Sequence, residues 1–343
     1  MLSRVAENTF WMSRYLERAV AVVRLIDVLG HLELDAGELD DRYEEFWIPL
    51  LDPQRPDSFV SQDAPPSHAP QDVRRHLVFD ANNPHSLASC VARSRGAARE
   101  VRESISSEMW ERLNSLHLSL QDPHLARLAD EDSHAFFKRV HEDALLVFGL
   151  ADCTLAHDEP WQFITLGKYL ERAANVARVL NLESHLLRVG DTLGGGSDNV
   201  VRWLAVLRSC GSAEAYARYY SLRVEPARMV EFLVLNPVFP QSIRFSVDAA
   251  ADALSALTSG RRSEPTESAA SRALGQLRAR LDHVAVDEVF EEGLEGYLTD
   301  VQRRIALVGE RLSRAHFRTD PHPARLPAAA RAALIMAAQQ QQQ

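Results

Sequence analysis

The residues of this chain whose types and spacing suit chemistry are a glutamate and a set of basic side chains that occur twice. Tyr15-Leu16-Glu17-Arg18-Ala19 returns 154 residues later as Tyr169-Leu170-Glu171-Arg172-Ala173. Arg14 and Lys168, Val22 and Val176, and Arg24 and Arg178 match at the same offset, so the agreement spans about three turns of helix. A glutamate buried among apolar neighbours has a raised pKa and can act as a general base, which makes Glu17 and Glu171 the catalytic candidates. Basic side chains grip carboxylate or phosphate, guanidinium forks through paired hydrogen bonds, which makes Arg14, Arg18, Arg24, Lys168, Arg172 and Arg178 candidates for holding an anion. A second reading uses the same residues as structure. If the two helices pack antiparallel about a pseudo-twofold, Glu17 meets Arg178 and Glu171 meets Arg24, and two partly buried ion pairs set the register. Both readings are open at this point.

Other candidates are weaker. His134 and His141 stand seven apart beside Glu142, whereas metal ligands on one helix fall three or four apart, so no metal site is expected there. Cys90, Cys153 and Cys210 are far apart, with no CxxC pair and no histidine partner evident in the sequence, and Cys90 and Cys153 are expected on apolar helix faces. Gly194-Gly195-Gly196-Ser197 lacks the lysine of a phosphate loop and follows no strand, so it reads as a connector and no cofactor is implied. His157-Asp158-Glu159 ahead of Pro160 is a helix start.

The elements that must carry these residues are helices. Met12, Leu16, Ala19, Val23 and Ile26 form an apolar stripe on a helix expected from about Ser3 to Leu29, with Gly30 as its stop. An acidic stretch follows, with Glu33, Asp35, Glu38, Asp40, Asp41, Glu44 and Glu45, then a proline-rich segment from 52 to 70. Asn82-Asn83-Pro84 announces one long helix that continues past the serines at 104, 106 and 107 to Leu120. Further helices are expected from Ser133 to Leu155 and from Asp158, where Leu166, Leu170, Ala173, Ala177 and Leu180 copy the first stripe. Later helices start near Asp198, Pro226, Pro240, Arg272 and Val286, the last carrying Phe290, Leu294, Tyr297, Val301, Ile305, Val308 and Leu312. The fold class is all-α, a single large helical bundle without significant sheet. It is expected to consist of two pseudo-repeated halves, about 1–155 and 156–320, with a Pro/Ala/Gln-rich tail at 321–343 that is compositionally disordered.

Composition removes several classes of function. The chain has 343 residues, 46% of them hydrophobic, which is enough to bury a sizeable core. With 48 acidic against 38 basic residues, the surface as a whole repels nucleic acid and anionic lipid. No apolar run approaches a membrane span, the N-terminus lacks the apolar core of a signal peptide, and the cysteines form no disulfide framework. A cytoplasmic location is therefore expected.

Several motifs resemble those of the alpha-E family of bacterial helical proteins. They are Met1-Leu2-Ser3-Arg4 through Trp11-Met12-Ser13-Arg14-Tyr15-Leu16-Glu17-Arg18-Ala19, Asn83-Pro84 with Ile105-Ser106-Ser107-Glu108-Met109-Trp110-Glu111, Leu166-Gly167-Lys168 with the second pentapeptide, Trp203, Leu207-Arg208-Ser209, Ala215-Tyr216, Phe232-Leu233 and Phe239-Pro240. The resemblance covers nearly the whole chain and departs at Gln241, where the family pattern has arginine; if that arginine binds an anion, Arg244 would have to substitute. It implies association with circularly permuted ATP-grasp ligases and with transglutaminase-like peptidases. Two functions follow: a non-catalytic partner or substrate-binding subunit of an amide-bond-forming or peptide-modifying system, or an enzyme in its own right, an amidohydrolase or a ligase half-reaction using Glu17 or Glu171.

Overall fold

A computed structural model describes residues 3–36, 69–189, 197–220, 225–259 and 265–317. Its described residues hold fourteen α-helices and no strand. In chain order these are α1 (Ser3–Ala36), α2 (Pro70–Val78), α3 (Leu87–Arg99), α4 (Ser107–Ser119), α5 (Pro123–Glu131), α6 (Ser133–Thr154), α7 (Glu159–Val189), α8 (Ser197–Ser209), α9 (Ala213–Tyr220), α10 (Pro226–Val230), α11 (Ile243–Thr258), α12 (Pro265–His283), α13 (Val286–Glu292) and α14 (Leu294–His316). The acidic stretch from 37 to 45, most of the proline-rich segment, the Gly194–Gly196 connector and the tail lie outside the described residues.

The two repeated helices are the centre. The expected stripes are buried along their whole length, Met12, Leu16, Ala19, Val23 and Ile26 on α1 and Leu166, Leu170, Ala173, Ala177 and Leu180 on α7. α1 packs on α7, α3, α6 and α8, while α7 also packs on α11 and α14. Two apolar clusters result. One gathers side chains of α1 to α6, the other those of α7 to α14. The repeated helices cross between them: Phe10 of α1 is buried in the second cluster, and Ile164, its match at the repeat offset, is buried in the first. Burying an apolar side chain of this size is worth about 1.5–3 kcal/mol, so each helix ties itself to both cores.

Local chemistry corrects several expectations. The single long helix from Pro84 to Leu120 is two helices with a 3-10 turn at Arg102–Ser104 between them. Serines are better caps than helix interior residues, because the hydroxyl replaces a missing intrahelical acceptor. Ser86 starts α3 by accepting from the Ser89 amide (3.2 Å), and Ser106 starts α4 by accepting from the Met109 amide (3.2 Å). Asn83 does not cap the helix; its Oδ1 accepts from the His85 amide at 3.0 Å and shapes the turn ahead of it. Gly30 does not stop α1, which runs on to Ala36. The last expected helix is also split, since Gly293 at φ +91° separates α13 from α14 and leaves Phe290 exposed. α10 relaxes into a π turn at Glu231–Leu235 before Asn236, whose side chain accepts from the amides of Val238 and Phe239.

Candidate functional site

The repeated helices run side by side in the same direction. Contacts advance together along both: Ser13 lies at Gly167, Glu17 at Arg172, Arg18 at Glu171, and further on Val20, Ala21 and Arg24 share one pocket wall with Asn175, Val176 and Val179. The backbones come closest at Gly167, where a Cβ would overlap the Ser13 hydroxyl and the Phe10 carbonyl oxygen. Ser13 is fully buried, and its hydroxyl turns back to donate to the Phe10 carbonyl at 2.9 Å, which keeps the contact surface small and satisfied.

Just beyond this contact the two Glu-Arg dipeptides cross. Arg172 donates from Nε to Glu17 Oε1 at 2.6 Å and from Nη2 to Oε2 at 3.0 Å, a bidentate pair. Its Nη1 donates to the Pro240 carbonyl at 3.3 Å, in the turn before α11. Glu171 takes two arginines, Arg18 Nε on Oε1 at 2.6 Å and Arg14 Nε on Oε2 at 2.7 Å. Arg18 Nη1 lies 3.5 Å from His85 Nδ1, in the turn before α3. Glu17, Glu171 and Arg172 are buried, and fork-to-carboxylate geometry is what lets such charges be buried together.

The expected partners, Glu17 with Arg178 and Glu171 with Arg24, are therefore wrong, and direction is the reason. Antiparallel helices would bring residue 17 to 178. Parallel helices bring 17 level with 171–172 and 24 level with 178, and seven residues of helix separate those levels by about 10 Å. Arg178 donates to Asn175 Oδ1 at 2.7 Å, and Arg24 donates from Nε to His141 Nε2 at 3.0 Å. Arg24 has no carboxylate within ion-pair distance among the described residues. Neither does Lys168, whose ammonium lies over the rings of Phe148 and Tyr169. Burial lowers the pKa of both cations, and the Arg172 charge adds to it.

These electrostatics count against the glutamates as bases. Burial alone would raise Glu171, but Arg18 and Arg14 override it and hold the carboxyl well below its ordinary value. Glu17 has both oxygens engaged by Arg172. Burial also pushes the thiols up, Cys90 to about 11 and Cys210 to about 12, far from a nucleophilic thiolate. Cys153, expected on an apolar face, is exposed.

A pocket opens beside the Glu17–Arg172 pair. It is lined by Glu17, Arg24, Arg172, Asn175, Ser209 and Gln241 with apolar walls, and its empty volume including the mouth is about 300 Å³. Asn175 and Ser209 are each 5% exposed, and among the described residues Asn175 Nδ2 and Ser209 Oγ have no hydrogen-bond partner. Gly211, at φ +60°, brings its backbone against Arg24, so that a Cβ there would sit 3.0 Å from the guanidinium carbon. Of the residues expected to bind a ligand, Glu17, Arg24 and Arg172 line this pocket. Arg14, Arg18 and Glu171 form the other crossed contact, a cluster of three, and Arg244 pairs with Asp282 at 2.8 Å. Gln241 is on the pocket wall. Sequence reasoning missed Asn175, Ser209 and His85, whose signal is three-dimensional, and set aside His141.

Neutral histidines at this seam predict acid sensitivity. Burial, with Arg18, lowers His85 to about 3, and burial, with Arg24, lowers His141 to about 4, both from 6.5. A depressed folded pKa means that the unfolded chain takes up the protons first, so stability is complete above pH 6.5 and is lost as pH falls toward 4 and 3. Glu171, depressed from 4.5, adds a loss below that pH. Urea unfolding at pH 7.5, 5.5 and 4.5 is expected to give steadily falling stability, and His141→Gln is expected to flatten the fall above pH 4.5.

The chain has relatives of the same kind. It is 23% identical over 318 residues to uncharacterised proteins of Mycobacterium bovis and of two Mycobacterium tuberculosis strains, an alignment covering 88% of this chain and 35% of each relative. The chain thus spans about a third of the length of the curated relatives it matches. No solved structure matches it. A family model described as an alpha-helical domain with a conserved ER motif matches residues 1–317, and on that match the chain belongs to the Alpha-E family.

Proposed function

We propose that the chain is a non-catalytic, ligand-binding subunit of an ATP-grasp-dependent system that forms amide bonds or modifies peptides, and that its seam pocket holds the carboxylate of an anionic, peptide-like ligand. The observation that carries the reading is the pocket's donor set. Among the described residues Arg24 is a cation without a carboxylate partner and Asn175 Nδ2 and Ser209 Oγ have no hydrogen-bond partner, and all three side chains line the same pocket. Buried donors without acceptors are costly, at about 1–3 kcal/mol each, and a bound carboxylate offers four lone pairs to relieve them. The cleft is narrow and open to solvent, so only the carboxylate end of such a ligand enters it and the remainder lies outside or against a partner. The family's ER motif is read here as the crossed pair, a scaffold for the pocket. Catalysis and ATP belong to the partner, a circularly permuted ATP-grasp ligase, with a transglutaminase-like peptidase as a second associate and the cytoplasm as the compartment.

The reading includes two pseudo-repeated halves, about 1–155 and 156–320. It is supported by matching neighbourhoods: α1 with α3 and α6 corresponds to α7 with α11 and α14, Ser86 caps α3 as Ser242 caps α11, and Arg18 approaches the turn before α3 as Arg172 does the turn before α11. Two measurements test the function. ATP turnover by the ligase is expected to rise when this protein is added, and an unchanged rate sinks the partnership. Calorimetry with N-acetylglutamate is expected to show binding that Arg24→Gln weakens by about 1.5–3 kcal/mol and that Gln241→Arg strengthens. Equal affinity in all three proteins would remove the pocket from the proposal.

A further inference from the structure

We propose that Asp27, His31 and His134 form a binding site for a borderline divalent transition ion, with zinc the best fit. The site is separate from the seam pocket and does not depend on its reading. Asp27 and His31 stand one turn apart on α1, the spacing at which two ligands share a helix face. His134 joins them from the first turn of α6, and one potential ligand atom from each residue lies within 4.8 Å of the others.

Two features suit a metal. His31 Nδ1 lies 2.8 Å from the Asp27 carbonyl oxygen, so its ring proton is held there and the Nε2 lone pair is left available. An imidazole oriented through its other nitrogen by a backbone carbonyl is the usual support for a metal ligand. His134 Nδ1 and Asp27 Oδ1 are 3.0 Å apart. Two ligands of a tetrahedral zinc with bonds of 2.0–2.1 Å are about 3.3 Å apart, so the ion replaces the shared proton with little movement. The His134 side chain is 59% exposed and can rotate to close the remaining gap, with its ring centroid already 5.2 Å from that of His31.

Two imidazoles and one carboxylate favour zinc, cobalt or nickel over magnesium and calcium, which prefer an all-oxygen shell. Three protein ligands leave a fourth position facing solvent, and the ion joins α1 to α6. The test is zinc calorimetry on the tag-free full chain in a non-chelating buffer, with thermal unfolding alongside. One equivalent is expected to bind and raise the melting temperature. His134→Ala and Asp27→Asn are expected to keep their helicity while losing affinity by on the order of tenfold or more, together with the thermal shift. Excess magnesium is not expected to compete. Absence of a one-equivalent event, undiminished binding by both variants, or equal competition by magnesium overturns the site.

Discussion

Gly167→Ala should destabilise this protein by about 3 kcal/mol or more, the upper part of the range for overpacking a well-filled contact. The added methyl meets the carbonyl oxygen of Phe10, with the carbonyl carbon 3.2 Å away, and that backbone is two turns inside α1 and cannot turn aside. Relief requires α1 and α7 to move apart, which stretches the crossed ion pairs just beyond. Ordinary helix propensity predicts the opposite sign, since alanine in a helix interior is better than glycine by about 1 kcal/mol. Gly149 supplies the control. It is exposed on α6 with nothing within 4 Å of a Cβ, so Gly149→Ala should stabilise by roughly 0.5–1 kcal/mol. Chemical denaturation of the two variants measures both signs. Similar small gains at both positions would show that the helices do not touch at Gly167.

Glu171→Gln should cost about 3–5 kcal/mol, because removing one member of a buried ion pair leaves its partners charged and desolvated. Glu171 pairs directly with both Arg18 and Arg14, whereas among the described residues the direct ion pair of Glu17 is with Arg172. The order of loss should therefore be Glu171→Gln above Glu17→Gln. In a double-mutant cycle, Glu17→Gln with Arg172→Gln should show coupling on the order of 1–3 kcal/mol, since the second change removes the orphan left by the first. Urea denaturation gives each value. Additive losses would mean that Glu17 and Arg172 do not pair.

Much of this architecture can be read from residue order alone, and the failures share a cause. The stripes on α1 and α7 depend only on local periodicity, and they are buried as spaced. The Glu-Arg dipeptides depend on it too, as far as marking charge beside a buried stripe. Which arginine meets which glutamate depends on helix direction, a tertiary quantity, and so the sequence pairs Arg24 and Arg178 with the wrong ends. Ser106 shows a different limit: helical spacing on both sides of it hid a serine cap that divides the segment into α3 and α4. Asn175, Ser209 and Gln241 come from three separate elements, and no spacing in the chain announces that they share one pocket. Asp27 and His31 pass unnoticed in the sequence, where no metal site is expected, because His134 joins them only through the packing of α6 on α1.

The crossing of the Glu-Arg dipeptides also bears on how such a chain can be divided. Residue 17 answers to 172 and residue 171 to 18, the same relation that two identical subunits share across an isologous interface. A fragment ending before α7 would keep Glu17, Arg14 and Arg18 and lose every ion partner that they have across the seam. Its nearest remedy is a second copy of itself, because one pentapeptide already contains both the acid and the base that the opposite helix requires. Split expression should thus yield either insoluble fragments or a symmetric dimer held by the same crossed pairs that one chain forms between α1 and α7.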